Sequence, residues 1–200
     1  PEHHSESTEA IYAHTPGLKV VMPSTPYDAK GLLVSSIRDP DPVIFLEPKR
    51  IYRAIKQEVP EEEYTIPLGA ANVVKEGSQL TLITWGAMVR EAREAARMAE
   101  EKAFSVEIID LRTISPIDDA TIMESVKKTG RVVVVHEAAR TCGVGAELMA
   151  RINEKAFLYL QAPMERVTGF DIVIPYLKGE HFYLPNPVRI MDAIEKVMNY

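Results

Sequence analysis

The sequence holds one cysteine, Cys142, so no disulfide can close within it, and the composition fits a reducing cytosol. It has no long apolar run. Stretches such as Val132 to Val135 are far too short to cross a bilayer, and no signal-peptide pattern stands at the N-terminus. It has no block of Lys and Arg, and a formal net charge of −6 at pH 7 argues against a general nucleic-acid role. Internal repeats and low-complexity segments are also missing, which argues against a repeat array. What remains is ordinary: 200 residues, 46% hydrophobic and 26% charged, enough for one large soluble domain or two small ones.

Strand and helix signals alternate along the chain, which predicts α/β layers with a mostly parallel sheet. Residues 17–23 carry Leu18, Val20, Val21 and Met22, a short buried strand ended by Pro23. Ser24-Thr25-Pro26 starts a helix, with Ala29, Leu32, Leu33, Ser36 and Ile37 expected on its inner face. Asp39-Pro40-Asp41-Pro42 stops that helix, and residues 43–46 form the next strand. Residues 49–68, rich in proline and glutamate, read as an exposed connection. A second α/β pattern begins near Gly69. It has strands at 80–84, 106–111 and 132–135, and helices at about 87–102, 118–128, 143–156 and 187–199. The expected organisation is therefore the end of one domain over 1–48, a linker over 49–68 and a complete domain over 69–200. Pro1, rather than Met, opens the chain in what reads as a loop, so an N-terminal part is expected to be trimmed or absent.

Few residues carry chemistry on their own. His3 and His4 are either an unremarkable terminus or a loop imidazole that donates a proton or faces an anion near neutral pH. His14, before Thr15-Pro16-Gly17, reads as a turn residue. Gly143-Val144-Gly145 opens a helix but lacks the third glycine of a dinucleotide fingerprint, which favours close backbone packing. His136-Glu137 ends a strand at the edge where open α/β sheets hold ligands, and interface structure is the alternative. Asp110 and Arg112 suggest an internal ion pair tying a strand end to a loop. Cys142 has no nucleophile signature around it. Asp39-Pro40-Asp41, past a helix C-terminus, is either a turn or a cation site built from helix-end carbonyls and carboxylates.

Together the pieces are more specific. His4-Ser5-Glu6-Ser7-x-Glu9, His14-x-Pro16-Gly17-Leu18-Lys19-Val20-Val21 and Asp28-Ala29-Lys30-Gly31-Leu32 lead into Ile37-Arg38-Asp39-x-x-Pro42-Val43-Ile44-Phe45-Leu46-Glu47. Ile109-Asp110-Leu111-Arg112-Thr113-Ile114-x-Pro116, Lys128-Thr129-Gly130-Arg131 and Ala162-Pro163-x-x-Arg166-Val167-Thr168-Gly169 follow. This pattern resembles the β subunits of thiamine-diphosphate-dependent 2-oxo acid dehydrogenases, of the pyruvate or branched-chain type. The resemblance spans nearly the whole chain but only the C-terminal part of a usual β subunit.

It implies the end of a transketolase-like pyrimidine-binding domain followed by a transketolase C-terminal-like domain. It also implies an α2β2 heterotetramer with a second β subunit and a dihydrolipoyl acyltransferase core as further partners. Thiamine diphosphate would lie between subunits, its diphosphate and magnesium held by the α subunit. His4 matches the family's active-site histidine, which assists reductive acyl transfer to lipoyl-lysine. The glutamate that serves the pyrimidine ring has no counterpart here, so Glu6 and Glu9 are not assigned that role and the chain alone is expected to be inactive. Ser36, Asp39 and Asp41 match a potassium site dominated by main-chain carbonyls. Residues near 170–200 are expected to contribute to docking. A cytoplasmic location is implied, or the mitochondrial matrix in a eukaryote. The alternatives are a separate C-terminal half of another transketolase-like enzyme, or a non-catalytic assembly module. The particular 2-oxo acid is not decided.

Overall fold

A computed structural model describes residues 5–200 of the chain. The larger sheet has five strands in the order β3-β5-β4-β7-β8: β3 (Asn72–Lys75), β4 (Leu80–Thr84), β5 (Val106–Asp110), β7 (Val132–Ala139) and β8 (Glu165–Gly169). All neighbours are parallel except β3, which runs antiparallel to β5 at the edge. The mostly parallel sheet expected from the sequence is therefore present.

Its strands are apolar on both faces, as a sheet covered on both sides requires. Alternation sends Leu80, Leu82, Val106, Ile108, Val133 and Val135 to one face and Ile83, Ile109, Val132 and Val134 to the other. Helices α3 (Met88–Glu100) and α7 (Pro187–Met198) cover the first face, joining Ala92, Ala95, Ala96 and Ala99 to Ile190, Ile194 and Val197. Helices α4 (Asp119–Thr129) and α5 (Val144–Ala156) cover the second with Ile122, Val126, Leu148 and Ile152. Each large aliphatic side chain so buried contributes about 1.5–3 kcal/mol of transfer free energy. Local chemistry sets the helix ends. The Asp118 side chain accepts from the Thr121 N–H at 3.0 Å, and Gly130 closes α4 at φ 68, where a side chain would be strained.

The N-terminal segment builds a second sheet of three strands, ordered β2-β1-β6. Strand β1 (Lys19–Val21) runs parallel to β2 (Val43–Phe45) and antiparallel to β6 (Thr113–Ser115). The last strand comes from the other half of the chain, so the two sequence regions share one ladder. Helix α2 (Pro26–Arg38) begins as expected, with Thr25 accepting from the Asp28 N–H at 3.1 Å. Its inner face differs from the expectation. Asp28, Gly31 and Leu32 are buried, whereas Leu33 is 41% and Ile37 76% exposed. The reason lies in residues 64–66, which cross that face. A Cβ on Gly31 would stand 2.7 Å from Ile66, and the Ser35 hydroxyl donates to the Ile66 carbonyl at 2.6 Å. Residues 49–68 are thus not wholly an exposed connection, since Ile66 is buried with Val21 and Leu32. Short helices α1 (Glu9–Ala13) and α6 (Leu177–Tyr183) complete the segments around the site, and no described helix is long and apolar enough to cross a membrane.

Candidate active site

The C-terminal ends of β4, β5 and β7 gather the residues that carry chemistry, as expected for an open α/β sheet. Trp85 follows β4, Asp110 ends β5, and His136 and Glu137 lie in the last half of β7. Against this edge lies the segment Ser5–Thr8, which leads into α1. It forms a common wall of two cavities. One, about 540 Å³, is lined also by Glu9, Met22, Glu47, Arg50, Trp85, Glu137 and Tyr176. The other, about 720 Å³, is lined also by Ile11, Ala138, Ala139, Ile172, Val173 and Tyr183. His3 and His4 lie outside the described residues.

The buried heart of the edge is a row of three side chains. Glu9 is 1% exposed, and its Oε1 accepts from Trp85 Nε1 at 3.3 Å. Burial raises the Glu9 carboxyl above the usual carboxylate range. Trp85 stacks on His136, with ring centroids 5.4 Å apart and planes 16° from parallel. His136 is fully buried, and among the described residues neither ring nitrogen has a hydrogen-bond partner of good geometry. Burial, reinforced by Arg166 and Arg140, pushes its pKa down to about 4, so the imidazole is neutral at pH 7. The two glycines of Gly143-Val144-Gly145 make room for this ring. A Cβ on Gly143 would lie 2.7 Å from His136 Cε1, and one on Gly145 2.8 Å from its Cδ2. Close packing, as expected from the sequence, accounts for both. Glu137 is also raised, chiefly by burial and further by Glu9 and Glu180.

A second buried cluster ties the two sequence regions together. Asp110 Oδ2 accepts from Ser24 Oγ at 2.5 Å, and its Oδ1 accepts from the Arg112 N–H at 3.1 Å. The expected Asp–Arg pairing takes a different form. The Arg112 guanidinium reaches Asp28 Oδ1 at 2.5 Å, on α2, rather than Asp110. A φ of 57° at Arg112 bends the chain sharply after β5 and helps to send the side chain there. Burial, with Asp28 as a like charge nearby, pushes Asp110 up to about 7.

At the end of α2, Lys19 Nζ donates to Asp39 at 2.7 and 2.9 Å and stands 3.0 Å from Asp41 Oδ2. That hydrogen bond, followed by the Asp41 N–H, holds the Asp39 carboxyl below its usual range. The Ser36 hydroxyl donates to the Leu32 carbonyl at 2.7 Å. Lys19 occupies the space between the two carboxylates, so potassium at Ser36, Asp39 and Asp41 would have to rest mainly on the main-chain carbonyls at the helix end. Among the described residues no group of three or more His, Cys, Asp or Glu is placed to hold a metal ion. Cys142 is exposed, and His14 caps α1, as a turn residue should.

Sequence reasoning missed Glu9, Trp85, Ser24 and Asp28 as buried polar centres. The Thr25-x-x-Asp28 spacing was a readable cap signal, but its partner Arg112 is distant in sequence. Nothing local announces the Glu9–Trp85 contact.

This fold matches known proteins. Residues 69–190 match the transketolase C-terminal domain, and residues 1–55 the transketolase pyrimidine binding domain. The chain belongs to the transketolase C-terminal domain family. Over 196 residues it is 58% identical to "Pyruvate dehydrogenase E1 component subunit beta" of Acholeplasma laidlawii, covering 98% of this chain and 60% of that protein. It is 52% identical over 200 residues to the protein of the same name from Bacillus subtilis (strain 168), covering 100% of this chain and 62% of that one. The chain thus spans about three-fifths of the length of the curated relatives it matches. Among solved structures, a split-gene transketolase described as an inactive β4 tetramer superposes with a TM-score of 0.79 at 24% identity. That match covers 95% of this chain and 60% of that chain, and at this identity shows the fold alone.

Proposed function

We propose that this chain is part of the β subunit of a thiamine-diphosphate-dependent 2-oxo acid dehydrogenase of the pyruvate or branched-chain type. Residues 1–48 end its pyrimidine-binding domain, 49–68 connect, and 69–200 form its transketolase C-terminal-like domain. The assembled enzyme decarboxylates a 2-oxo acid and passes the acyl group to lipoyl-lysine. The observation that carries this reading is the likeness, over essentially the whole chain, to pyruvate dehydrogenase β subunits.

The partners in this reading are an α subunit, a second β subunit and a dihydrolipoyl acyltransferase core, in the cytoplasm, or in the mitochondrial matrix of a eukaryote. Exposed apolar side chains at Phe170, Ile172, Val173, Tyr176 and Phe182 support an assembly surface within residues 170–200. The cofactor's diphosphate does not fit the cavity beside Ser5–Thr8. Five carboxyls line it, Glu6, Glu9, Glu47, Glu137 and Glu180, against two cations, and one of these, Arg50, pairs with Glu91 at 3.1 Å. This is in keeping with diphosphate and magnesium held by the α subunit. Potassium, if part of the assembly, binds through carbonyls at Ser36, Asp39 and Asp41.

His4 is the catalytic residue in this reading, an acid or anion partner during acyl transfer. In the full-length assembled enzyme, His4→Ala should lower lipoyl acylation by about a hundredfold and leave cofactor binding unchanged. Wild-type acylation kinetics with cofactor bound normally would refute the assignment.

A further inference from the structure

Glu9 is the first residue of α1 and follows directly on Ser5–Thr8. Its burial calls for an explanation, because removing a carboxyl from water is costly and an apolar side chain would fill the same space. Packing alone therefore does not account for it. One oxygen accepts from Trp85 Nε1, and Oε2 has no partner among the described residues. Trp85 in turn stacks on His136, and His136 packs against Gly143 and Gly145 at the start of α5. The result is a continuous buried row from the N-terminal segment, across the ends of β4 and β7, to α5. Thr8 reinforces the junction, its carbonyl accepting from the Ile11 N–H at 3.0 Å.

We propose that Glu9 is a positioning residue: through Trp85 it seats the Ser5–Thr8 segment on the sheet edge, and so sets the point from which the chain leads to His4. The catalytic half of this proposal rests on the reading of His4 given above. The seating half stands on the geometry of Glu9, Trp85 and His136. Displacements of about 1 Å in a catalytic group cost on the order of a hundredfold in rate.

Trp85 is the one tryptophan of the chain, so its fluorescence reports on the contact directly. The test compares Glu9→Leu, which removes the acceptor, with Glu9→Gln, which retains an acceptor oxygen. In the full chain, Glu9→Leu should shift the Trp85 emission maximum while Glu9→Gln keeps it near wild type. In the full-length assembled enzyme, Glu9→Leu should slow lipoyl acylation by about tenfold or more with cofactor binding unchanged, and Glu9→Gln should restore most of the rate. Wild-type emission and acylation in Glu9→Leu would overturn the proposal. So would a Glu9→Gln variant as impaired as Glu9→Leu, because a merely space-filling role predicts no rescue by the acceptor. An unaltered His4→Ala rate overturns the reading of His4 instead, and the emission difference between the two Glu9 variants still decides the seating.

Discussion

Asp110→Asn should remove a steep pH dependence from the stability of this protein. Asp110 is fully buried at the end of β5 and titrates at about 7 in the fold, against 3.8 for an ordinary aspartate. Between those values the folded state holds a proton that the unfolded chain has released. Stability therefore falls as pH rises from about 4 to about 7, and the loss levels off above that. At about 1.4 kcal/mol per pH unit the full effect is up to about 4 kcal/mol. An asparagine keeps an oxygen to accept from Ser24 or Arg112 and cannot ionise beside Asp28. Urea unfolding from pH 4 to 8, with equal m-values, gives the stability of each protein. The wild type minus variant difference should drop by about 2–4 kcal/mol across that range. Parallel curves would refute the argument that burial and Asp28 oppose this charge.

His136 should impose the opposite slope. Its ordinary value of 6.5 falls to about 4 in the fold, so the stability it permits above pH 6.5 is lost as pH falls toward 4. His136→Leu should remove about 3 kcal/mol of that acid-side loss, and acid unfolding followed by circular dichroism should show a shallower approach to the transition. Gly145→Ala should cost about 1–3 kcal/mol by driving a methyl into the His136 ring. Calorimetry should show most of that penalty vanishing when the same change is made in a His136→Ala background, whereas simple addition of the two effects would contradict the contact.

Much of the architecture was legible because it is encoded locally. The inward face of α3 (Val89, Ala92, Ala96, Ala99) and that of α7 (Ile190, Met191, Ile194, Val197) follow the helical period and are buried as read. The strand at 80–84 was read with its observed bounds. The short strand β6 was missed, because its role is to pair with β1 across more than ninety residues. Helix α2 was read only partly correctly for a similar reason: Leu32 is buried as read, whereas Leu33 and Ile37 are exposed. Tyr64 and Ile66 pass over Gly31, so the buried face runs through Asp28, Gly31 and Leu32 rather than along the apolar spacing.

The sequence by itself determined the alternation of strands and helices and the cap at the start of α2, because spacing and turn chemistry act over a few residues. It also singled out Gly143 and Gly145 as packing positions. Tertiary structure alone decided which polar groups leave water. Glu9 meets Trp85 from 76 residues away, and Ser24 meets Asp110 from 86. The perturbed protons at Asp110 and His136 arise from that long-range burial, since desolvation depends on everything packed around a group rather than on its neighbours in the chain.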